Sequence, residues 1–259
     1  MRQTLLLLAA AVFIAALPCE AKPQAKRKPA PVPAQYDPLT EWELVNGAAM
    51  EARARLKKAR KPEAIRQQIA DLALRSAVGA ERALALGDAS LFDSYRRQFR
   101  EQFHDTHWRI GRMARQGGGV AEYAEGVLAL HGYFDPPGVE TACRHFGAAL
   151  AKGYAGAKFR LSQCLEKDEP ARAAALMREA ADSGHPAAAE LLGRACLEAT
   201  PPQAACARER LTVAAAGTGV PRDFAEARKW LEQAEQGGIA SARELLNWMD
   251  KENPEKPSK

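Results

Sequence analysis

Residues that favour strands are scarce in this chain of 259 residues. It has 9 Val, 5 Ile and 7 Thr, against 54 Ala. Ala favours helix and β-branched side chains favour sheet, so a sheet-based fold is excluded in favour of an all-α one. Long apolar runs are lacking too. The longest, Leu5–Leu17, has 13 residues, and a membrane-spanning helix needs about 20. There are only five Cys and five His. No Cys-x-x-Cys pair and no His-Glu-x-x-His stretch occurs, so the sequence offers no metal site. Glu101, His104 and His107 fall at three-residue steps, but the second such motif that a carboxylate–histidine metal bundle needs is missing. Also absent are a Gly-x-Ser-x-Gly elbow, a Ser-x-x-Lys pair and a phosphate-binding loop. No catalytic residues and no cofactor are expected. Gly217-x-Gly219 lacks the third glycine of a dinucleotide turn and reads as a linker between helices.

What is present begins with an address. Arg2, the short apolar run and Ala21 describe a secretory signal peptide over residues 1–21. Cleavage after Ala21 leaves Cys19 at the −3 position, an imperfect fit, and a lipid on Cys19 is the alternative. Residues 22–38 hold five Pro and four Lys/Arg with one acid, Asp37, and read as a disordered linker. Without residues 1–21, 36 basic and 31 acidic side chains remain, and Lys22, Lys26, Arg27 and Lys28 account for most of the difference. The remaining body is close to neutral, and a pI of 9.0 does not mark a nucleic-acid surface. The expected location is the periplasm or the exterior.

The strongest internal signal is periodic. Gly117, Gly153, Gly184 and Gly238 are each followed four residues on by Ala: Ala121, Ala157, Ala188 and Ala242. Preceding Gly238 are Asp223 and Ala234, and matching small residues precede Gly184 (Ala173, Ala180) and Gly153 (Ala142, Ala149). Small residues at four-residue spacing allow helices to approach closely, and Gly supplies the left-handed turn that ends a helix. Each unit is therefore a helix pair closed by Gly, with an apolar face that only the next pair covers, which makes an α-solenoid. Residues 39–116 are expected to form helices at 39–60, 63–86 and 89–116, as degenerate pairs that cap or extend the repeats at 117–250. Residues 251–259 read as a disordered tail.

Gly217-Thr218-Gly219-Val220-Pro221-Arg222-Asp223, followed by Ala227, Trp230, Ala234 and Gly238, resembles the Sel-1-like repeat, a relative of the tetratricopeptide repeat. The chain departs from that pattern where the glycine spacing widens to 54. There the last first-helix is expected to start near Pro202, leaving 184–201 as a first helix without a second. The resemblance implies protein–protein interaction through a concave groove lined by the first helix of each pair. By register, at offsets 3, 6, 10 and 13 from each glycine, the groove is expected to include Tyr123, Gln163, Glu190, Arg194 and, counted from Pro202, Arg208. Tyr123 and Trp230 also fit as packing residues. Two other classes remain: a secreted hydrolase, since some cysteine-containing exported Sel-1-like proteins are associated with β-lactams, and an envelope-anchored structural or secretion-associated protein.

Four Cys follow the signal peptide, and export would place them in an oxidising compartment. Cys143 and Cys164 lie at similar distances on either side of Gly153, and Cys196 and Cys206 on either side of Pro201. Antiparallel helices joined at those turns set each pair at one height, so the expected bridges are Cys143–Cys164 and Cys196–Cys206.

Overall fold

Eleven α-helices are found among the residues that the computed structural model describes, 37–133, 136–198 and 224–252, and those residues contain no strand. The expected signal peptide, nearly all of the expected linker, Pro202, Cys206 and Arg208 fall outside them, as does the expected tail apart from Lys251 and Glu252, which end the last helix. The helices are α1 (Pro38–Leu56), α2 (Glu63–Ala85), α3 (Ala89–Gln102), α4 (His107–Arg115), α5 (Gly119–Leu130), α6 (Val139–Ala151), α7 (Lys158–Leu165), α8 (Pro170–Asp182), α9 (Pro186–Glu198), α10 (Phe224–Gln236) and α11 (Ala240–Glu252). A 3₁₀ turn, Ala155–Ala157, leads into α7.

One backbone device punctuates this order. At the end of α8, Gly184 takes φ 88°. Its N–H donates to the Ala181 carbonyl, and the His185 N–H donates to that of Ala180 at 3.0 Å. This Schellman closure requires a left-handed residue, which Gly adopts without steric cost. The same pair of bonds closes α4 at Gly117, α6 at Gly153 and α10 at Gly238, as the periodicity predicts. It also closes α2 at Gly87, where the expected helices 63–86 and 89–116 part, although Leu91, not Ala, stands four residues on and keeps Gly87 out of the repeat pattern. The N-terminal helices thus share the punctuation of the repeats, and from Asp37 onward the chain forms one compact unit.

The third expected helix, 89–116, is two. After Gln102 the chain turns, Phe103 points into the core, and the Thr106 hydroxyl donates to the Phe103 carbonyl at 2.6 Å. Thr bonds its local backbone in this way and so competes with helix continuation. Glu101, His104 and His107 consequently do not share a helix. Glu101 lies in the last turn of α3, His104 in the turn that follows, and His107 opens α4.

In four units the first helix packs on the second, α1 on α2, α5 on α6, α7 on α8 and α9 on α10, whereas α3 packs on α2 and α4 on α5. The pairing of α9 corrects the expectation of an unpartnered first helix at 184–201. Its partner is α10, and residues 199–223 stand between the two. The contacts repeat residue by residue. A Cβ on Gly126 of α5 would lie 2.5 Å from Cε1 of Phe146, the eighth residue of α6. A Cβ on Gly193 of α9 would lie 2.6 Å from Cγ of Leu231, the eighth residue of α10. At the equivalent place in α7, the Ser162 hydroxyl meets Met177 Sδ, again in the eighth residue of the partner helix, α8. Close helix approach excludes a larger side chain at these positions. Gly193→Ala is expected to destabilise the fold by about 1–3 kcal/mol through overpacking, despite the better helix propensity of Ala, as read from the urea midpoint. A stabilised variant would show that the α9–α10 seam has slack.

Helix α2 departs from the repeating scheme. Eleven of its 23 residues are buried, including Ser76, Gly79 and Glu81. It packs against α1, α3 and α4, and also across α5 two units away. Just past its end, Leu86 packs with the C-terminal core, and Leu86 Cδ2 lies 3.5 Å from where a Cβ on Gly238 would sit. Ala at seven of its positions gives α2 the slim surface that such multiple packing needs.

Candidate functional site

The first-helix face is described by register from each closing glycine. The tenth residue is Val127 in α5, Gln163 in α7, Arg194 in α9 and Trp248 in α11. Val127 is 0% exposed, in the core that includes α2. From α7 onward the same register position faces solvent: Gln163 is exposed, the Arg194 side chain is 41% exposed and Trp248 43%. Helix α2 therefore covers the N-terminal part of the face, and the face opens toward the C-terminal units.

Tyr123, expected in the groove, is a correction. It is 5% exposed, with ring centroids 5.5 Å from Phe146 and 5.0 Å from Tyr154. Helix α5 has α4, α6 and α2 packed around it and buries every residue from Ala121 to Leu128, so no side of it remains for a ligand at this position. Burial, with the Glu81 charge nearby, holds the Tyr123 phenol well above its ordinary value. Trp230 is likewise enclosed, as the packing reading predicts.

Glu190 and Arg194 share one turn of α9. Glu190 Oε1 accepts from Arg194 Nη2 at 2.8 Å and from the Ser241 hydroxyl of α11 at 2.6 Å, which ties the two first helices together. Gln163 Oε1 accepts from Arg160 Nη1 at 2.8 Å. Leu191 and Trp248 add exposed apolar surface on α9 and α11. The open face therefore mixes an amide, a guanidinium, a carboxylate and apolar groups, a composition able to hold an extended polypeptide.

Beneath the covered part lies an ionic knot that the sequence did not reveal. Glu81 of α2, 5% exposed, lies 2.5 Å from His131 Nε2 at the end of α5 and accepts from Arg160 Nε of α7. Burial pushes the Glu81 carboxyl up, but His131 and Arg160 outweigh it and hold it below its ordinary value. Two further Glu–His pairs bridge helices. His145 Nδ1 is 2.8 Å from Glu122, which also accepts from Lys152, and His107 Nε2 is 3.2 Å from Glu125. His185 caps the start of α9. Its Nδ1 accepts from the Ala188 N–H, and burial together with the Arg160 charge lowers it to about 4, which keeps the imidazole neutral as that acceptor requires. Among the described residues no group of three His, Cys, Asp or Glu is placed to hold a metal ion, and no helix is long and apolar enough to cross a membrane.

The Cys143–Cys164 bridge is present, with Cα atoms 5.7 Å apart, and joins α6 to α7 across the Gly153 turn. Cys196, buried in α9, is also disulfide-bonded. Its expected partner, Cys206, lies outside the described residues.

No family model matches the chain, and no curated protein does. Among solved structures it is similar to a Sel1 repeat protein from Oxalobacter formigenes, with 18% identity and a TM-score of 0.47 over 88% of this chain and 77% of that one. The chain's own helices establish the architecture: an all-α solenoid of stacked antiparallel helix pairs.

Proposed function

We propose that this protein is an exported, non-catalytic scaffold that holds a protein or peptide partner on the open, C-terminal part of its first-helix face. One observation carries the reading. A single register position is sealed under α2 at Val127 yet presents Gln163, Arg194 and Trp248 to solvent on the next three first helices. Exposed Trp and Arg side chains in a row are the residue types that dominate binding energy at protein interfaces. The repeat resemblance implies the same kind of partner, and the Leu5–Leu17 run with its flanks supports export.

The test is affinity capture from an envelope extract on immobilised mature protein. Arg194→Glu combined with Trp248→Ala is expected to abolish capture, with the helical circular dichroism and urea midpoint confirming a folded variant. Tyr123→Phe, inside the core, is expected to leave capture intact. Undiminished capture by the double variant would refute the assignment of this face.

A further inference from the structure

A second concavity lies at the opposite end of α2. It encloses about 210 Å³ between the end of α1, the start of α2, the 103–106 turn and α4. Three guanidiniums line it, those of Arg53, Arg66 and Arg109, with one carboxylate, Asp105. Their engagements differ. Arg53 grips Asp105 through both carboxylate oxygens and donates through Nε to the Gln102 carbonyl at 2.8 Å. Arg109, buried, is held by a two-pronged bond to Glu63 at 2.7 and 3.0 Å. Arg66 is exposed and has no hydrogen bond or ion pair from its side chain among the described residues. Leu56 gives the wall an apolar stretch, and Trp108, 55% exposed, adds an aromatic plate. Guanidinium carbons of Arg109 and Arg112 stand 4.3 and 5.1 Å from the Trp108 ring, so the ring is held in place by stacked cations.

We infer that this concavity binds a small carboxylate carrying an apolar group. Asp105 and Glu63 compensate Arg53 and Arg109, so the excess positive charge at the concavity comes from Arg66, with Arg112 beside Trp108. The Arg66 fork matches a carboxylate, which accepts two parallel N–H bonds. The aromatic plate and the apolar wall would cover a side-chain-sized body next to that charge, and the volume suits one apolar side chain rather than a folded segment. A peptide C-terminus ending in an apolar residue and a free carboxylic acid both present this chemistry. Arg66 and Leu86 are twenty residues apart on and just past α2, about 30 Å along its axis, so this site and the open first-helix face succeed or fail separately.

The test is titration of the full mature chain with N-acetyl-L-phenylalanine, followed by calorimetry and by tryptophan fluorescence. Saturation below about 10 mM is expected, with a fluorescence change that Trp108→Phe removes. Arg66→Ala is expected to weaken binding at least roughly tenfold, as is replacement of the probe by its uncharged amide. Arg66 is exposed, so the variant retains the wild-type urea midpoint. Binding of 3-phenylpropionate equal to that of the probe would assign the site to free acids, and weaker binding to peptide ends; both support the inference. Absence of saturation, equal binding of the amide, an Arg66→Ala variant of unchanged affinity, or displacement by an equal concentration of inorganic phosphate would overturn it.

Discussion

Replacing Glu81 by Ala is expected to destabilise the protein by about 3–5 kcal/mol, the usual consequence of removing one member of a buried ion pair. The cause is specific. Ala is the best helix former, so α2 itself loses nothing by the change. What remains is the Arg160 guanidinium, 14% exposed, without its carboxylate, and His131 beside it without a partner. Urea unfolding reads the loss directly, and Glu81→Gln, which keeps an acceptor for Arg160, is expected to fall between the two. The pH dependence has a definite sign. The folded-state pKa of Glu81 is depressed, so its contribution is complete above the ordinary carboxylate value of 4.5 and is lost as pH falls through the folded value. The gap between wild type and Glu81→Ala is therefore widest near neutral pH and closes in acid. A loss under about 1 kcal/mol at neutral pH would place the knot among exposed ion pairs and remove α2 as the element that binds distant repeats.

Opening the Cys143–Cys164 bridge is expected to have the next largest effect. The two positions are 21 residues apart, and the chain-entropy treatment of a loop that size gives about 3 kcal/mol. For a body of this length that corresponds to a fall in Tm of roughly 6–12 °C. The variant with both residues changed to Ala isolates this bridge, because Cys196 stays bonded. Calorimetry of that variant beside wild type, each without reductant, measures it. Added dithiothreitol should lower wild type at least as far. Equal Tm values would show that the short turn through Gly153 and the α6–α7 packing already restrict the unfolded loop.

Much of the architecture is legible in the sequence because backbone geometry restricts residue type. A helix end needing φ near +90° demands Gly, so Gly117, Gly153, Gly184 and Gly238 announce the hairpins, and the cysteines at similar distances on either side of Gly153 announce the bridge between α6 and α7. The break before His107 is hidden because neither Gly nor Pro marks it; Thr106 makes it with one hydroxyl. The wide spacing before Gly238 misled because period alone does not say which helix packs on α9; the packing of α10 against it, with Leu231 set against Gly193, does. Tyr123 shows the general limit. Periodicity tells which face of α5 a residue occupies, but what covers that face comes from α2, some fifty positions earlier. Glu81 was invisible for the same reason, with its partners His131 and Arg160 lying 50 and 79 residues away.

A solenoid joined only between neighbours behaves as a one-dimensional chain, in which terminal units can fray while the middle stays folded. The reach of α2 alters that. Its start packs among the N-terminal helices, Glu81 near its end is pinned to His131 and to Arg160 of α7, and Leu86 just beyond touches the C-terminal core. Loosening either end withdraws support from the other, so the two ends melt as one cooperative body instead of peeling away unit by unit.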